Sequence, residues 1–229
     1  MLNSSRQSCV WTFLLCLLGV FAGSTAQGQT ESALDRTLSH IDLGISGMGE
    51  FTRDVSGTNY LGVPLKQTGA NTLGALVTVR YTKSPWVGVE FNYGYSRYTQ
   101  HYFYNGTDPA LQGTEPYVVG GVQTNNSEFT LGYVAHPRRQ FFGLQPFFGG
   151  GVGVLRFKPT SSGGQGLQNQ PAGVYYYNLG VEKQITQHFG VRGMFRQQFY
   201  LAPDFYQNYL TIQKYTSTIQ PGAGFYLRF

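Results

Sequence analysis

From residue 39 onward, apolar and polar positions alternate with a period of two in eight stretches separated by turn residues, the signature of half-buried β-strands. The first covers residues 39 to 51, with Ile41, Leu43, Ile45 and Phe51 on one face, and the second covers 72 to 82, with Leu73, Ala75, Val77, Val79 and Tyr81. In the third, 86 to 98, Val87, Val89, Phe91, Tyr93 and Tyr95 alternate with Gly88, Glu90, Asn92, Gly94 and Ser96 almost without a break. The fourth spans 126 to 136 (Phe129, Leu131, Tyr133, Ala135), and the fifth, 146 to 157, is glycine-rich and ambiguous in register. The sixth, 173 to 183, carries Tyr175, Tyr177, Leu179 and Val181; the seventh, 188 to 200, carries Phe189, Val191, Phe195 and Phe199. The last, 215 to 229, carries Ile219, Ala223, Phe225, Leu227 and Phe229. Each stretch is about as long as a tilted transmembrane strand of ~9–11 residues with a little overhang.

The connections alternate in length. Those after odd-numbered strands are long (52–71, 99–125, 158–172 and 201–214), whereas "KSP" (83–85), "PRRQFFGLQ" (137–145) and "QITQ" (184–187) are shorter. Long and short connections in alternation predict an all-β fold, an eight-stranded antiparallel up-and-down transmembrane β-barrel, with four external loops on one side and both chain ends on the turn side.

The N-terminal segment fits an exported chain. Arg6 supplies a basic start, Val10 to Ala22 is an apolar run of thirteen residues, and "GSTAQ" supplies small residues for cleavage, giving a signal peptide over 1–26, a short polar segment over 27–38 and the barrel over 39–229. Cys9 and Cys16, the two cysteines, both lie in the signal segment, so neither a disulfide framework nor thiol chemistry is expected beyond it. Only 12% of residues are charged while 16% are aromatic, and 31 are glycine, a composition suited to an extended sheet in an unusual solvent. The net charge of +5 comes from scattered residues with no Lys/Arg run, so no nucleic-acid partner is expected.

Charge placement decides which face meets lipid. If the odd-numbered apolar positions share one face, the other collects Asp42, Glu50, Arg80, Glu90, Glu128, Arg156, Glu182, Arg192, Arg196 and Arg228. The cations are all arginine, the residue suited to buried bidentate pairing with carboxylates. Gly74, Gly88, Gly94, Gly132 and Gly180 share that face, where a narrow lumen would crowd side chains. The expectation is therefore a lipid-facing apolar exterior, with Tyr81, Trp86, Tyr93, Tyr95, Tyr133, Tyr175 and Tyr177 toward its edges, around a charge-filled interior. A soluble lipocalin-like barrel would have the faces reversed.

With the "QPFFGGGVGVLRF" strand (145–157), the "FGVRGMFRQQFYLAPDF" segment (189–205) and the terminal "GFYLRF", the chain resembles the small bacterial outer-membrane β-barrel proteins, the class of the outer-membrane protein A barrel and outer-membrane proteins X and W. The resemblance implies a place in the outer membrane, with contacts to its lipid and lipopolysaccharide. It also implies that Phe225, Leu227 and Phe229 act as the signal read by the outer-membrane assembly machinery. A narrow channel for apolar or small solutes is a second role the resemblance allows, and a lipid A-modifying enzyme a third.

Little in the sequence points to catalysis. His40, His101, His136 and His188 are too dispersed for a metal site, and no cofactor is expected. His101 with Asp108 in "HYFYNGTD" is the nearest thing to a catalytic cluster and contains no serine, so no catalytic residue is assigned. "GGGVGV" (149–154) lies within a strand and lacks the following helix of a dinucleotide-binding loop. In the longest loop, Tyr102, Phe103 and Tyr104 are the candidate contacts for an external ligand of unknown identity, the alternative being that they pack on one another to order the loop.

Overall fold

The computed structural model describes residues 38–104 and 117–229, with the side chains of 117–119 left undescribed. The signal segment, nearly all of the polar segment after it and Asp108 lie outside the described residues.

Eight long strands form the barrel wall: β1 (Ile41–Thr52), β4 (Thr72–Ser84), β5 (Val87–Tyr104), β6 (Tyr117–Ala135), β7 (Gln145–Pro159), β8 (Gln170–Gln184), β9 (Phe189–Leu201) and β10 (Tyr215–Arg228). All pairings are antiparallel, and the circle closes through β1 against β10, from Asp42 opposite Arg228 to Thr52 opposite Thr218. The expected closed eight-stranded fold is therefore present, and the wall has no free edge along its membrane-length portion.

Two departures lie on the loop side. The region 52–71 is not simply a loop: β2 (Val55–Thr58) and β3 (Pro64–Gly69) form a hairpin, and β3 pairs with β5 from Leu65–Tyr104 to Gly69–Gln100. Asn59 shapes its turn by accepting the Leu61 and Val63 amides at 3.0 and 2.9 Å, while Gly62 supplies a φ of 78°. The region 99–125 is also largely strand, because β5 and β6 continue past the expected loop boundary as a paired ribbon.

Side-chain direction follows the pleat. In seven barrel strands the even-numbered residues point inward, but β7 has the opposite parity: Phe147, Leu155 and Phe157 are buried whereas Phe148, Val152, Val154 and Arg156 are exposed. The connection before β7 resets the phase. Phe142 and Gly143 take positive φ (52° and 73°), and Phe141 and Leu144 exchange both backbone hydrogen bonds at 2.9 Å, the geometry of a two-residue turn with left-handed residues at both centres. Inward-facing Gly151 is required where β6 and β7 approach, since a Cβ there would run into the Leu131 carbonyl oxygen and lie 2.6 Å from Gly132 Cα.

Candidate functional site in the barrel lumen

The barrel's two surfaces reverse the distribution of a soluble protein. Ile45, Val79, Phe91, Phe129, Leu131, Val152, Leu179, Val191 and Phe225 are among the large apolar side chains exposed around the whole circumference. No charged residue points outward along β1 from Ile41 to Phe51, β4 from Leu73 to Tyr81, β5 from Val87 to Tyr95 or β6 from Ser127 to Ala135. The same holds on β7 from Phe148 to Val154, β8 from Gly173 to Val181, β9 from Phe189 to Phe199 and β10 from Ile219 to Leu227. A continuous apolar surface of this extent is incompatible with life in water and matched to hydrocarbon. Tyr81, Trp86 and Tyr133 sit exposed near its turn-side edge, where Arg138 lies over the Trp86 ring at 4.5 Å, and Tyr95, Tyr175 and Tyr215 are exposed toward the loop side.

Inside, nine of the ten charged residues expected in the lumen converge. Nearest the turn side, Arg228 donates to both oxygens of Asp42 at 2.8 and 2.9 Å. Deeper in, Arg80 bridges Glu182 (2.6 Å) and Glu90 (3.1 Å), and Arg192 donates through Nε to Glu182 at 2.8 Å. Glu90 also accepts from Asn178 (2.8 Å) and the Tyr176 hydroxyl (3.1 Å). A second cluster lies toward the loops. Arg196 makes a fork on Glu128 through both terminal nitrogens, one at 2.8 Å, and reaches Gln220 and Thr130 at 3.1 Å each. Its guanidinium stacks 4.0 Å from the Tyr176 ring centroid, and Glu50 is held by the Gln220 amide at 3.1 Å. Charges taken out of water persist only when they are paired and hydrogen-bonded; the terminal nitrogens of Arg80 and Arg196 all meet carboxylates, and only the Nε of each is left without a partner among the described residues.

The tenth residue, Arg156, is not in the lumen. It is exposed on the outer face because of the reversed parity of β7, and Leu155 and Phe157 take the interior positions beside it. Glu128 pairs with Arg196, and Arg228 with Asp42.

Tyr102 is a second correction. It is fully buried in β5, with its one hydroxyl proton placed between two acceptors, the Pro203 carbonyl at 2.9 Å and the Gln100 side-chain oxygen at 3.0 Å, so it is not available to an external ligand. Phe103 and Tyr104 belong to the same strand and are half-buried. Phe225 and Leu227 point outward and Arg228 inward, with Phe229 following at the turn-side end, where its amide meets the Ile41 carbonyl at 3.4 Å.

Sequence reasoning missed a cap at the barrel mouth. Residues 202–214, expected to be an external loop, fold inward, and Ala202, Phe205, Leu210 and Ile212 join Leu65, Tyr102, Val122, Phe157 and Tyr200 in one apolar core. Phe205 and Tyr206 have φ of 52° and 61°, an unfavourable backbone for such residues. Gln170 holds it in place, accepting the Asp204 and Phe205 amides at 2.9 and 2.6 Å while donating to the Asp204 carboxylate at 3.0 Å. The only sequence signal was the apolar content of "LAPDFYQNYLTI", which has no strand period.

The space that remains is uneven. At the turn side a vestibule of about 540 Å³ is lined by residues including His40, Asp42, His136, Glu182, Tyr226 and Arg228. Beyond the charge clusters, cavities of about 20 Å³ near Glu50 and Glu128 and about 10 Å³ near Gln100 offer room for one water each at most. Among the described residues no group of three His, Cys, Asp or Glu side chains could hold a metal ion.

No protein-family model matches this sequence, nor does any curated protein. Solved structures do match. Neisserial surface protein A aligns over 83% of this chain and 97% of its own at 12% identity, with a TM-score of 0.47. Outer membrane protein OprG from Pseudomonas aeruginosa aligns over 82% of this chain and 95% of its own at 14% identity, with a TM-score of 0.53. The fold is that of a small outer-membrane β-barrel. In such a barrel the apolar belt faces lipid, the long connections lie on one side of the membrane and the tight turns on the other. Identity this low speaks to fold alone, and activity has to be argued from the residues.

Proposed function

We propose that this protein is a non-enzymatic barrel of the bacterial outer membrane whose lumen is plugged, and that its role is structural or surface-interacting through its external connections. The carrying observation is the order of layers along the lumen: a water-accessible vestibule, two interlocked Arg–carboxylate clusters, then an apolar cap made by residues 202–214. An ion crossing this path would have to separate buried pairs with no water to replace them, which costs several kcal/mol per charge.

The vestibule favours a second reading, a small channel entered from the turn side, and planar-bilayer recording separates the two. The plugged barrel is expected to give no steady conductance at moderate voltage. Sustained, reproducible single-channel steps from the purified protein would contradict the plugged lumen and support the channel.

A further inference from the structure

The outward face of β5, β6 and β7 changes character at one level. Below it, Tyr93, Phe129 and Val154 lie side by side in register, with the Tyr93 and Phe129 rings 5.1 Å apart. The next row toward the loops is Tyr95, Ser127 and Arg156, and the one after it is Arg97, Asn125 and Lys158. Three cations and several hydrogen-bonding side chains thus stand directly on top of the apolar belt, in one sector of the wall. The corresponding rim on β8 to β10 is aromatic instead, with Tyr175 and Phe199 stacked at 5.0 Å and Tyr175 and Tyr215 at 6.2 Å.

The three cations are exposed and face no acid among the described residues. Asp42, Glu50, Glu90, Glu128 and Glu182 are inside the barrel, Asp54 is paired with Lys66 at 2.8 Å, and Asp204 is held by Gln170 of β8 and by Thr211. Glu31, Asp35, Asp108 and Glu115 lie outside the described residues. Arg97 donates to Gln123 at 2.9 Å, which holds its guanidinium along the wall, whereas Arg156 and Lys158 have no described partner. Strands ~4.8 Å apart place the Arg97 and Lys158 backbones about 10 Å from each other, and Arg156 and Lys158 are ~7 Å apart along β7. Long flexible side chains at those spacings can converge on one anionic group.

We propose that Arg97, Arg156 and Lys158 form a binding site for the phosphate-bearing headgroup of a lipid in the external leaflet, whose acyl chains lie on Tyr93, Phe129 and Val154. This assignment rests on the outer-membrane reading given above. A cation in this position is attracted both to the anionic headgroup and to the interface itself, and the neighbouring Ser127, Asn125 and Tyr95 supply hydrogen bonds to phosphate or sugar oxygens. A soluble anion would gain nothing from the apolar row beneath, so the occupant is a lipid.

The test uses the folded chain in nanodiscs of zwitterionic phospholipid, titrated with bis-phosphorylated lipid A and followed by native mass spectrometry. Saturable binding is expected, weakening about fivefold for each of Arg97→Gln, Arg156→Gln and Lys158→Gln, and roughly a hundredfold for the three together. Lipid A stripped of its phosphates is expected to bind wild type as weakly as intact lipid A binds the triple variant. Equal binding by wild type and triple variant, or by the two lipids, would overturn the site. Displacement by an equal concentration of free pyrophosphate would also overturn it, since the acyl chains would then contribute nothing. Failure of the wild-type chain to enter lipid of any composition would remove the membrane reading and the site together, whereas insertion without phosphate dependence removes the site alone.

Discussion

Glu128→Ala is expected to lower the free energy of unfolding by about 3 to 5 kcal/mol, the range for stripping one partner from a buried ion pair. Glu128 takes the fork of Arg196 and the Gln198 amide, and its loss leaves a fully buried guanidinium with only Gln220 and Thr130 as acceptors. Adding Arg196→Met is expected to recover most of the loss, because removing both charges also removes the desolvation that the pair had to offset. Urea unfolding in lipid vesicles, run as a double-mutant cycle, checks both statements. A single-variant effect below about 1 kcal/mol is the value for a solvent-exposed pair and would contradict a dry, charge-filled interior.

Leu131→Arg tests the opposite face and is expected to cost about 2 to 4 kcal/mol in lipid, the range for a cation facing hydrocarbon near the midplane of a barrel. Leu131 is exposed and sits mid-belt between Phe91 and Val152, so an arginine there has no polar neighbour within the row. The same substitution at exposed Arg97's level, Asn125→Arg, is expected to cost less than about 1 kcal/mol, because the wall is already polar there. Equal costs at both positions, measured by unfolding in the same vesicles, would mean that the belt does not mark the depth of the bilayer.

The barrel was legible in the sequence because a strand between lipid and lumen must alternate, and Val87 to Ser96 does so with bulky apolar residues outward and small or polar ones inward. The same rule hid the extension of β5. Beyond Ser96 the surroundings invert: Tyr98, Gln100 and Tyr102 turn into a packed core while Arg97 faces outward, so the aromatic residues change parity and the stretch reads as a loop. Arg156 was misplaced for a related reason. Parity belongs to each strand separately, and in β7 both faces carry apolar side chains or glycine, so composition could not choose between Phe147, Leu155 and Phe157 inward and Phe148, Val152 and Val154 inward. The short β2 and β3 and the cap at 202–214 are fixed by long-range contacts, such as Asn59 donating to the Tyr209 carbonyl at 3.0 Å, that no local period records.

In every barrel strand except β7, where the parity is reversed, the odd-numbered face of the belt lies against hydrocarbon while the even-numbered face fills the barrel. No cysteine follows residue 16, so single cysteines can be placed along β6 and spin-labelled without background. With the protein in vesicles, the collision rates of labels at Phe129, Thr130, Leu131 and Tyr133 are measured against molecular oxygen, which concentrates in lipid, and a water-soluble nickel chelate. Labels at Phe129, Leu131 and Tyr133 are predicted to collide with oxygen and not with the chelate, and the label at Thr130 with neither. Chelate access at the three odd positions with oxygen access at Thr130 would contradict the account.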